Sequence, residues 1–549
     1  MRVAGNVTLR PILLAAASGV LVGVTFSPHG GPVLPFLAFA PLAFALRSCS
    51  QSFAPGFVTA TLAHGIGLYW MVPALSWRTA LAVPVYLLVL VMIGIVAGAA
   101  TTGAVNLHRG RRWPLPLSLA MCWTGLEWTA AHVPGVSYAW LNAGGSLAWY
   151  PPAAAGAELL GARVLTVWTV ACGAVIAGAL QGGWVAKGGW AVKGGRAAKS
   201  GWGEWSRGTL GRALLLAGLL GVPLALGGVR QRGLTSLAVE DPLLRVAMVQ
   251  AGHGRVVAGD EGGDRPEAAE GVERWIEPLR ALRETEPFDI AVFPERHVAA
   301  ALRDAASGAV SATGREAAGL ATALGAPMLL GALDGQVADA GTDTLWYNAA
   351  FALRPDGTLS RAYRKRRLVP GLEAAGLVGD PFGARNRGYA AGREGLPLAA
   401  GGNSVGAMVC YDSAYGETAR ALVRAGAEWL AVLSNDDWLD PDLPLRVTWA
   451  YWQHATHGRL RAIENRIGLV QVASTGYTFT VTPAGTGTES LLEPGAEGIA
   501  VAGIGDRAAT TLFTRVGDVL GLACFVVFVA GLFTRSGGSG NLPAPATRH

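Results

Sequence analysis

Apolar segments long enough to cross a bilayer are concentrated at the two ends of this 549-residue chain. A transmembrane helix needs about 20 mostly apolar residues. Seven segments that reach or approach this length lie before residue 230, and one lies after residue 515. They are about 11–27, 32–47, 53–76, 79–107, 114–134, 162–183, 210–229 and 516–534. The block between them has a mixed composition, so the pattern predicts a multi-span α-helical membrane domain with one soluble domain inserted before the last span.

The composition excludes an ordinary soluble enzyme. Mean hydropathy is +0.36 and only 15% of the residues are charged, which is too apolar for a soluble chain of this size. The net charge of +6 is modest, and the basic residues lie mainly in loops between apolar segments. We therefore expect these residues to orient the chain in a lipid bilayer, and we expect no nucleic-acid partner.

Lysine and arginine in the short loops predict the orientation of the spans. One set of loops holds most of them: Arg2, Arg10, Arg47, Arg109, Arg111, Arg112, Lys187, Lys193, Arg196, Lys199 and Arg207. The remaining loops hold almost none, apart from Arg78 and Arg163 at a span edge. Because basic loops stay in the cytoplasm, the N-terminus is predicted to be inside. Residues 1–229 then form the membrane domain, 230–515 lie outside the cytoplasmic membrane, and 516–549 form the eighth span and a cytoplasmic tail.

An acidic residue, Glu127, falls inside the predicted span 114–134. A charged side chain is costly within a bilayer and is often functional there. Two interpretations are open: Glu127 faces a lipid-binding cavity, or it pairs with another group inside the helix bundle.

The soluble block alternates strand-like apolar runs with alanine-rich helical stretches. The predicted strands are Leu244–Gln250, Asp289–Phe293, Pro327–Leu333, Ala349–Leu353, Val405–Val409, Trp429–Leu433 and Leu469–Ala473. The predicted helices are about 265–284, 312–324, 415–426 and 443–466. This alternation is typical of an α/β domain with helices packed on its sheet.

Three residues with complementary chemistry lie at the ends of these elements. Glu295 follows Ala-Val-Phe-Pro, Lys365 lies in a Tyr-Arg-Lys-Arg-Arg run, and Cys410 ends the run Val405–Val409. A thiol becomes a good nucleophile when a carboxylate takes its proton, and an ammonium stabilises the oxyanion that forms at an attacked carbonyl. The three residues therefore supply a base, an electrostatic clamp and a nucleophile.

Each of these residues also has a purely structural interpretation. Cys410 could be a buried free cysteine, a common state for this residue. Glu295 could cap a helix, and Lys365 could belong to a solvated basic run with Arg364, Arg366 and Arg367. The three acquire a specific meaning only when they are taken together.

Glu295, Lys365 and Cys410, in that order and at strand ends, resemble the catalytic residues of the nitrilase (carbon–nitrogen hydrolase) superfamily, whose fold is an αββα sandwich. A domain of this kind between a seventh and an eighth span resembles one family, the bacterial apolipoprotein N-acyltransferases. Further matches to that family are Leu368-Val369-Pro370 followed by Glu373, Ser434-Asn435-Asp436 with Trp438, Gln453-His454, and Arg461-Ala462 with Glu464. The chain departs from the family at Gly371-Leu372, where Phe-Gly is usual, and at Asp412, where Glu is usual.

The resemblance implies catalytic roles for Glu295, Lys365 and Cys410. It implies substrate-binding or supporting roles for five more residues: Glu373, Tyr411, Asp412, Asn435 and Trp438. The implied reaction transfers a fatty acyl chain from a membrane phospholipid, through a thioester on Cys410, to the α-amine of the diacylglyceryl-modified N-terminal cysteine of a lipoprotein. The implied location is the bacterial cytoplasmic (inner) membrane, with the catalytic domain on the extracytoplasmic (periplasmic) side.

Other functions stay open from the sequence. The main alternative is a membrane-tethered nitrilase-type amidase that hydrolyses a small amide, in which water resolves the thioester. A transporter with an extracytoplasmic binding domain and a catalytically inactive relative are further alternatives. The sequence shows no metal-ligand spacing and no phosphate-binding glycine motif, so we predict no metal and no cofactor.

Overall fold

The computed structural model describes residues 9–48, 51–76, 80–134, 137–185, 209–237, 244–252, 270–338, 344–370, 372–374, 388–400, 402–439, 449–505 and 508–535. Several features singled out in the sequence lie outside these residues: Gly371, the first parts of the predicted helices 265–284 and 443–466, and most of the basic loop that contains Arg196. Helices occupy both ends of the chain, and two β-sheets occupy its middle.

The regular structure described between residues 9 and 237 consists of helices. Its helices are α1 (Leu9–Thr25), α2 (Leu34–Leu37), α3 (Ala40–Ser48), α4 (Phe53–Gly67), α5 (Met71–Ser76), α6 (Ala82–Gly110), α7 (Leu115–His132), α8 (Pro151–Ala154), α9 (Ala157–Leu160), α10 (Arg163–Val185) and α11 (Thr209–Leu237). The predicted spans 32–47 and 53–76 are each broken into two helices. The first break separates α2 from α3, in the segment where Pro35 and Pro41 disfavour a continuous helix.

Three of the described helical segments are long and apolar enough to cross a membrane: Ala82–Gly110, Arg163–Leu180 and Leu214–Thr235. Leu9–Thr25, Leu34–Ser48 and Val519–Phe533 are shorter apolar segments. Large apolar side chains are exposed on the outside of this bundle, for example Leu88 on α6, Leu226 on α11 and Val526 near the C-terminus. Large apolar side chains exposed on helices of this length are stable against lipid rather than water.

The last of the described helices, α17 (Val519–Phe533), packs against α6 and α7 although it follows the β-sheets in sequence. Glycines allow the close approach. A Cβ at Gly531 would lie 2.8 Å from the carbonyl oxygen of Gly103, and one at Gly125 would lie 2.5 Å from that of Cys524. Small residues at such crossings let helix backbones pack tightly in a membrane. The C-terminal helix is therefore an integral part of the bundle.

The middle of the chain contains two sheets. Its strands are β1 (Leu244–Ala251), β2 (Ile290–Val292), β3 (Met328–Val337), β4 (Thr344–Leu353), β5 (Tyr363–Arg364), β6 (Leu398–Ala400), β7 (Asn403–Val409), β8 (Trp429–Ser434), β9 (Leu469–Ala473), β10 (Phe479–Val481) and β11 (Glu497–Ile504). Its helices are α12 (Glu270–Thr285), α13 (Ala312–Leu324), α14 (Gly416–Arg424) and α15 (Trp449–Asn465), with α16 (Leu512–Val516) leading to α17. The strand orders are β11-β1-β2-β3-β4-β5 and β10-β9-β8-β7-β6.

Alternating side chains of β1 show how the layers are arranged. Val246 and Met248 share a buried core with residues of the second sheet, such as Val432. Ala247 and Val249 face the other way and share a core with α12 and α13. Because successive residues of a strand point to opposite faces, the two sheets pack face to face with helices on the outside. The domain is thus an αββα sandwich.

Helix α15 joins the sandwich to the helical bundle. Sixteen of its seventeen residues are buried. Oε1 of Gln453 accepts hydrogen bonds from the indole nitrogens of Trp70 (3.0 Å) and Trp140 (2.8 Å). Its Nε2 donates to the carbonyl oxygens of Phe26 (2.9 Å) and Gly67 (2.8 Å). The hydrogen-bonding capacity of this one side chain is therefore satisfied by the bundle.

All seven predicted strands are present, but four strands were not predicted: β5, β6, β10 and β11. Three of these are only two or three residues long. The fourth, β11, pairs with β1 from Leu244↔Ile504 to Ala251↔Glu497, across a separation of about 250 residues. Its glycine-containing sequence and partly exposed side chains give it a weak apolar alternation, so only the pairing with β1 reveals it as a strand.

Candidate active site

Cys410 lies where β7 ends and a short 3-10 helix, Cys410–Ala414, begins. Its side chain is buried, and its backbone φ is +46°, a value that few non-glycine residues adopt. Such backbone strain is found where the surrounding structure holds a residue in a particular orientation. The turn places the thiol at the carboxyl edge of the second sheet.

Lys365 and Glu295 meet from two different strands of the first sheet. Lys365 directly follows β5, and Glu295 lies three residues after β2. Nζ of Lys365 is 3.1 Å from Oε1 of Glu295, and both side chains are buried. Lys365 therefore does not belong to a solvated basic run, and Glu295 accepts hydrogen bonds from the lysine and neighbouring loops rather than capping a helix.

Glu373 completes a buried cluster around the lysine. Its Oε1 is 2.9 Å from Nζ of Lys365, and its Oε2 accepts a hydrogen bond of 2.9 Å from the backbone N–H of Val369. Nδ2 of Asn348 donates to both carboxylates, at 2.6 Å to Glu295 and 3.2 Å to Glu373. One ammonium and one amide thus hold two carboxylates in place.

The charges of this cluster control two protonation states. Burial by itself would lower the pKa of Lys365, but the charges of Glu295 and Glu373 outweigh it and raise that pKa well above its ordinary value. Lys365 is therefore charged at neutral pH. Burial raises the pKa of the Cys410 thiol, the charge of Glu295 raises it further, and Lys365 opposes both. The resting thiol is therefore protonated, so Cys410 would need a base in order to act as a nucleophile.

Asp412 fastens the cysteine turn to the lysine loop. Its Oδ1 accepts from the backbone N–H groups of Arg366 (3.1 Å) and Arg367 (2.8 Å). Its Oδ2 accepts from the hydroxyl of Tyr363 (2.9 Å) and the backbone N–H of Val409 (3.2 Å). The shorter Asp side chain thus has a full set of partners in this chain.

The other three predicted supporting residues surround the same edge. The backbone N–H of Asn435 donates to Oε2 of Glu295 at 2.8 Å. The ring of Tyr411 stacks on Trp140, and its hydroxyl accepts a hydrogen bond from the backbone N–H of Ala139, in the bundle. Trp438 packs edge-on against Trp70, with the ring centroids 6.1 Å apart. Tyr411 and Trp438 therefore contact the helical bundle, and Asn435 contacts the carboxylate cluster.

Glu127 forms an ion pair with Arg163 inside the helical bundle. Its Oε2 is 3.0 Å from Nη1 of Arg163 and 2.9 Å from the hydroxyl of Thr166. Its Oε1 accepts a hydrogen bond of 2.8 Å from the backbone N–H of Ala143. Of the two interpretations of this residue, the structure supports pairing.

Three residues at the site were not among the predicted site residues: Asn348, Asp436 and His454. Asn348 directly precedes the predicted run Ala349–Leu353. A polar residue at the end of an apolar strand was the sequence feature that could have indicated a place for Asn348 in the site. His454 and Asp436 were matched to family motifs but were not placed beside Cys410.

Among the described residues, Cys410, Asp436 and His454 form one group whose donor atoms lie within 4.8 Å of one another, close enough for a metal ion. Both ring nitrogens of His454 already face oxygen atoms, so a hydrogen-bonded arrangement accounts for the group.

Comparisons with known proteins identify the family. A model described as the apolipoprotein N-acyltransferase N-terminal domain matches residues 18–175, and one described as carbon-nitrogen hydrolase matches residues 245–510. The apolipoprotein N-acyltransferase of Geobacter metallireducens is 26% identical over 94% of this chain and 93% of its own. That of Bordetella bronchiseptica is 26% identical over 94% of each chain. This chain belongs to the apolipoprotein N-acyltransferase family.

The family matches and the observed layers together confirm the predicted fold class, a multi-span helical membrane domain with a nitrilase-like αββα sandwich. Among solved structures, a carbon-nitrogen hydrolase from Helicobacter pylori aligns with 48% of this chain and 89% of its own, with 16% identity and a TM-score of 0.34.

Replacing Glu373 should lower activity in this family member while leaving it folded. Glu373→Ala removes one of the two carboxylates that hold the Lys365 ammonium, so we expect acyl transfer to fall by roughly 10-fold or more, about 1.4 kcal/mol in the barrier. Transfer rate and thermal unfolding are measured together. The matched control is Glu394→Ala, because the Glu394 side chain is 75% exposed and pairs only with Arg361 among the described residues. Equal activity for the two variants would show that Glu373 merely occupies a loop.

Proposed function

We propose that this protein is an apolipoprotein N-acyltransferase that uses Cys410 as nucleophile, Glu295 as general base and Lys365 as oxyanion stabiliser. The observation that carries this proposal is the position of the Glu295–Lys365–Glu373 cluster and Cys410 at the junction between the sandwich and the helical bundle. Tyr411, the neighbour of Cys410, forms a hydrogen bond with the bundle at Ala139. A nucleophile placed there suits substrates that are anchored in a bilayer.

The first half-reaction removes an acyl chain from a phospholipid. Glu295 takes the proton of Cys410 as the sulfur attacks the ester carbonyl carbon, and the Lys365 ammonium stabilises the oxyanion. The tetrahedral intermediate collapses when its bond to the glycerol oxygen breaks. Glu295 gives the proton to that oxygen, so a lysophospholipid leaves and a thioester remains on Cys410.

The second half-reaction passes the acyl chain to the lipoprotein. The α-amine of the diacylglyceryl-modified N-terminal cysteine attacks the thioester carbon and gives a proton to Glu295. The carbon–sulfur bond then breaks, and the thiolate recovers the proton. An amide and the free enzyme result, so the reaction is a ping-pong acyl transfer.

A mass measurement separates this proposal from the amidase alternative. Purified full-length protein is incubated with phospholipid and a synthetic diacylated lipopeptide, and the peptide is weighed. We expect a gain of one fatty acyl group on the peptide amine and one lysophospholipid formed per transfer. Release of free fatty acid with no gain in peptide mass would favour hydrolysis over transfer and would contradict the proposal.

We further propose that the protein lies in the bacterial cytoplasmic (inner) membrane with its catalytic domain on the periplasmic side. The distribution of loop charges supports this orientation. A reporter that is active only after export should work when fused after Pro242, and one that is active only in the cytoplasm should work when fused after Arg196. Both fusion points lie outside the described residues. The reverse pattern of reporter activity would overturn the orientation.

A further inference from the structure

His454 lies on α15 directly behind the candidate nucleophile. Its Nε2 is 3.3 Å from the carbonyl oxygen of Cys410, and its Nδ1 is 2.9 Å from Oδ1 of Asp436. The Asp436 and His454 side chains are fully buried. On the other side of the same helix turn, Gln453 is hydrogen-bonded to the helical bundle. The adjacent pair Gln453-His454 thus reaches from the bundle to the nucleophile.

With the Asp436 carboxylate ionised, the hydrogen-bond pattern places a proton on each ring nitrogen of His454. The carbonyl oxygen of Cys410 can only accept, so Nε2 must donate to it. An ionised Asp436 carboxylate can only accept, so Nδ1 donates to its Oδ1. The hydroxyl of Ser434, 3.4 Å from Nδ1, donates to the same Oδ1. An imidazole that donates from both nitrogens is a cation. Burial lowers the pKa of His454, but the charge of Asp436 outweighs this effect and the pKa is raised overall.

The groups that the structure places around His454 are acidic or neutral, so the positive charge of His454 has a strong local effect. Asp436 faces it from the loop after β8, Cys410 from the end of β7, and Glu295 acts on it from the loop after β2. His457, one turn along α15, has a pKa held well below its ordinary value, mainly by burial, so it is neutral. The ring of Trp140 packs on the remaining side, with the ring centroids 5.5 Å apart.

We infer that His454 is a positioning residue for Cys410: as an imidazolium bound to Asp436, it holds the Cys410 carbonyl and offsets the Asp436 charge beside the thiol. The hydrogen bond to the carbonyl supports the left-handed backbone of Cys410. The cation matters because the donor atoms of Cys410, Asp436 and His454 lie within 4.8 Å of one another. Without it, the Asp436 carboxylate would oppose formation of a thiolate. This inference rests on the proposed function only in taking Cys410 as the nucleophile.

Alkylation of Cys410 by iodoacetamide tests the inference without any acyl transfer. The reagent is applied to full-length purified protein across a range of pH, and modification of Cys410 is followed by peptide mass. His454→Gln retains a donor near the position of Nε2 but removes the charge. We expect the pH midpoint of alkylation to rise by about one to two units, and the rate near neutral pH to fall roughly 10-fold or more. Acylation by phospholipid should slow to a similar extent, with KM changed less than about threefold.

Matched variants separate this role from a general effect on folding. Adding Asp436→Asn to His454→Gln removes the uncompensated charge and should return the alkylation midpoint towards the wild-type value. His457→Gln, at an equally buried position one turn along, should leave the midpoint unchanged. Where His454→Gln fails to fold, His454→Asn, which keeps a donor towards Asp436, provides the same test through loss of the bond to the Cys410 carbonyl.

Wild-type alkylation in a folded His454 variant would overturn the inference, and so would a double variant no faster than His454→Gln. The proposed function can fail independently of it. If the wild-type protein transfers no acyl group but His454→Gln still slows alkylation, the inference about His454 stands and the acyltransferase proposal falls.

Discussion

Incubation of the wild-type protein with phospholipid and no acceptor should yield an acyl-enzyme, with the protein mass increased by one fatty acyl group on Cys410. Transfer to an amine requires that water be kept from the thioester, since hydrolysis would otherwise consume it. The buried position of Cys410 supports this expectation. Intact mass and peptide mapping measure the adduct. Neutral hydroxylamine should remove it, and a diacylated lipopeptide should discharge it.

Cys410→Ala should abolish both the adduct and the transfer. Cys410→Ser should be nearly inactive, because an alcohol is much harder to deprotonate than a thiol. Cys172, a buried cysteine in the helical bundle, provides a control, and Cys172→Ala should retain the adduct on Cys410. Substantial transfer by Cys410→Ala, or an acyl group mapped to a different residue, would rule out the proposed nucleophile.

Lys365→Met should lower the rate of acyl-enzyme formation by roughly 10²-fold or more, the scale of losing one oxyanion donor, about 2.7 kcal/mol. The ammonium is buried between two carboxylates, so its loss also leaves Glu295 and Glu373 without their shared counter-charge. Single-turnover acylation measures the rate, and thermal unfolding shows whether the variant remains folded.

The adjacent arginines provide controls for the lysine. Arg364 pairs with Asp334 at 2.6 Å and stacks on Tyr347, so its role is accounted for by contacts within the first sheet. Arg364→Met and Arg366→Met should therefore affect acylation far less than Lys365→Met. Equal losses in all three variants would mean that the run binds anions collectively, without a specific role for Lys365.

The sequence predicted those parts of the fold that depend on local pattern. Apolar length predicted the helices of the bundle, and apolar runs predicted strands such as β7 and β8. The sequence placed Glu295, Lys365 and Cys410 at the ends of elements, although β5, the strand before Lys365, was itself not predicted and the three residues come from two different sheets. The structure brings Lys365 against Glu295 and Glu373, and it brings Cys410 within range of their charges.

The features that the sequence did not predict depend on contacts between distant segments. Asn348 binds both carboxylates because the register of β4 against β5 places it beside Lys365, whose backbone N–H donates to the Asn348 carbonyl at 2.8 Å. No periodic pattern in the sequence specifies which residues of β4 and β5 lie opposite each other. His454 reaches Cys410 only because α15 is fixed by the sheet on one side and by the bundle on the other. A helix that is buried on all sides has no one-sided apolar stripe in its sequence, so its orientation cannot be predicted from such a stripe.

The packing of α17 between α6 and α7 sets an order of assembly. Gly103 and Gly125 lie on helices that precede the sandwich domain in sequence, whereas Gly531 lies on a helix that follows it. The groove that receives α17 therefore stays open until the whole catalytic domain has left the ribosome. A chain that stops after residue 515 contains every candidate catalytic residue and still lacks the helix that closes the bundle. Completion of the membrane platform thus depends on a helix that is synthesised after the sandwich domain, so a copy that lacks this helix is structurally distinguishable from one that contains it.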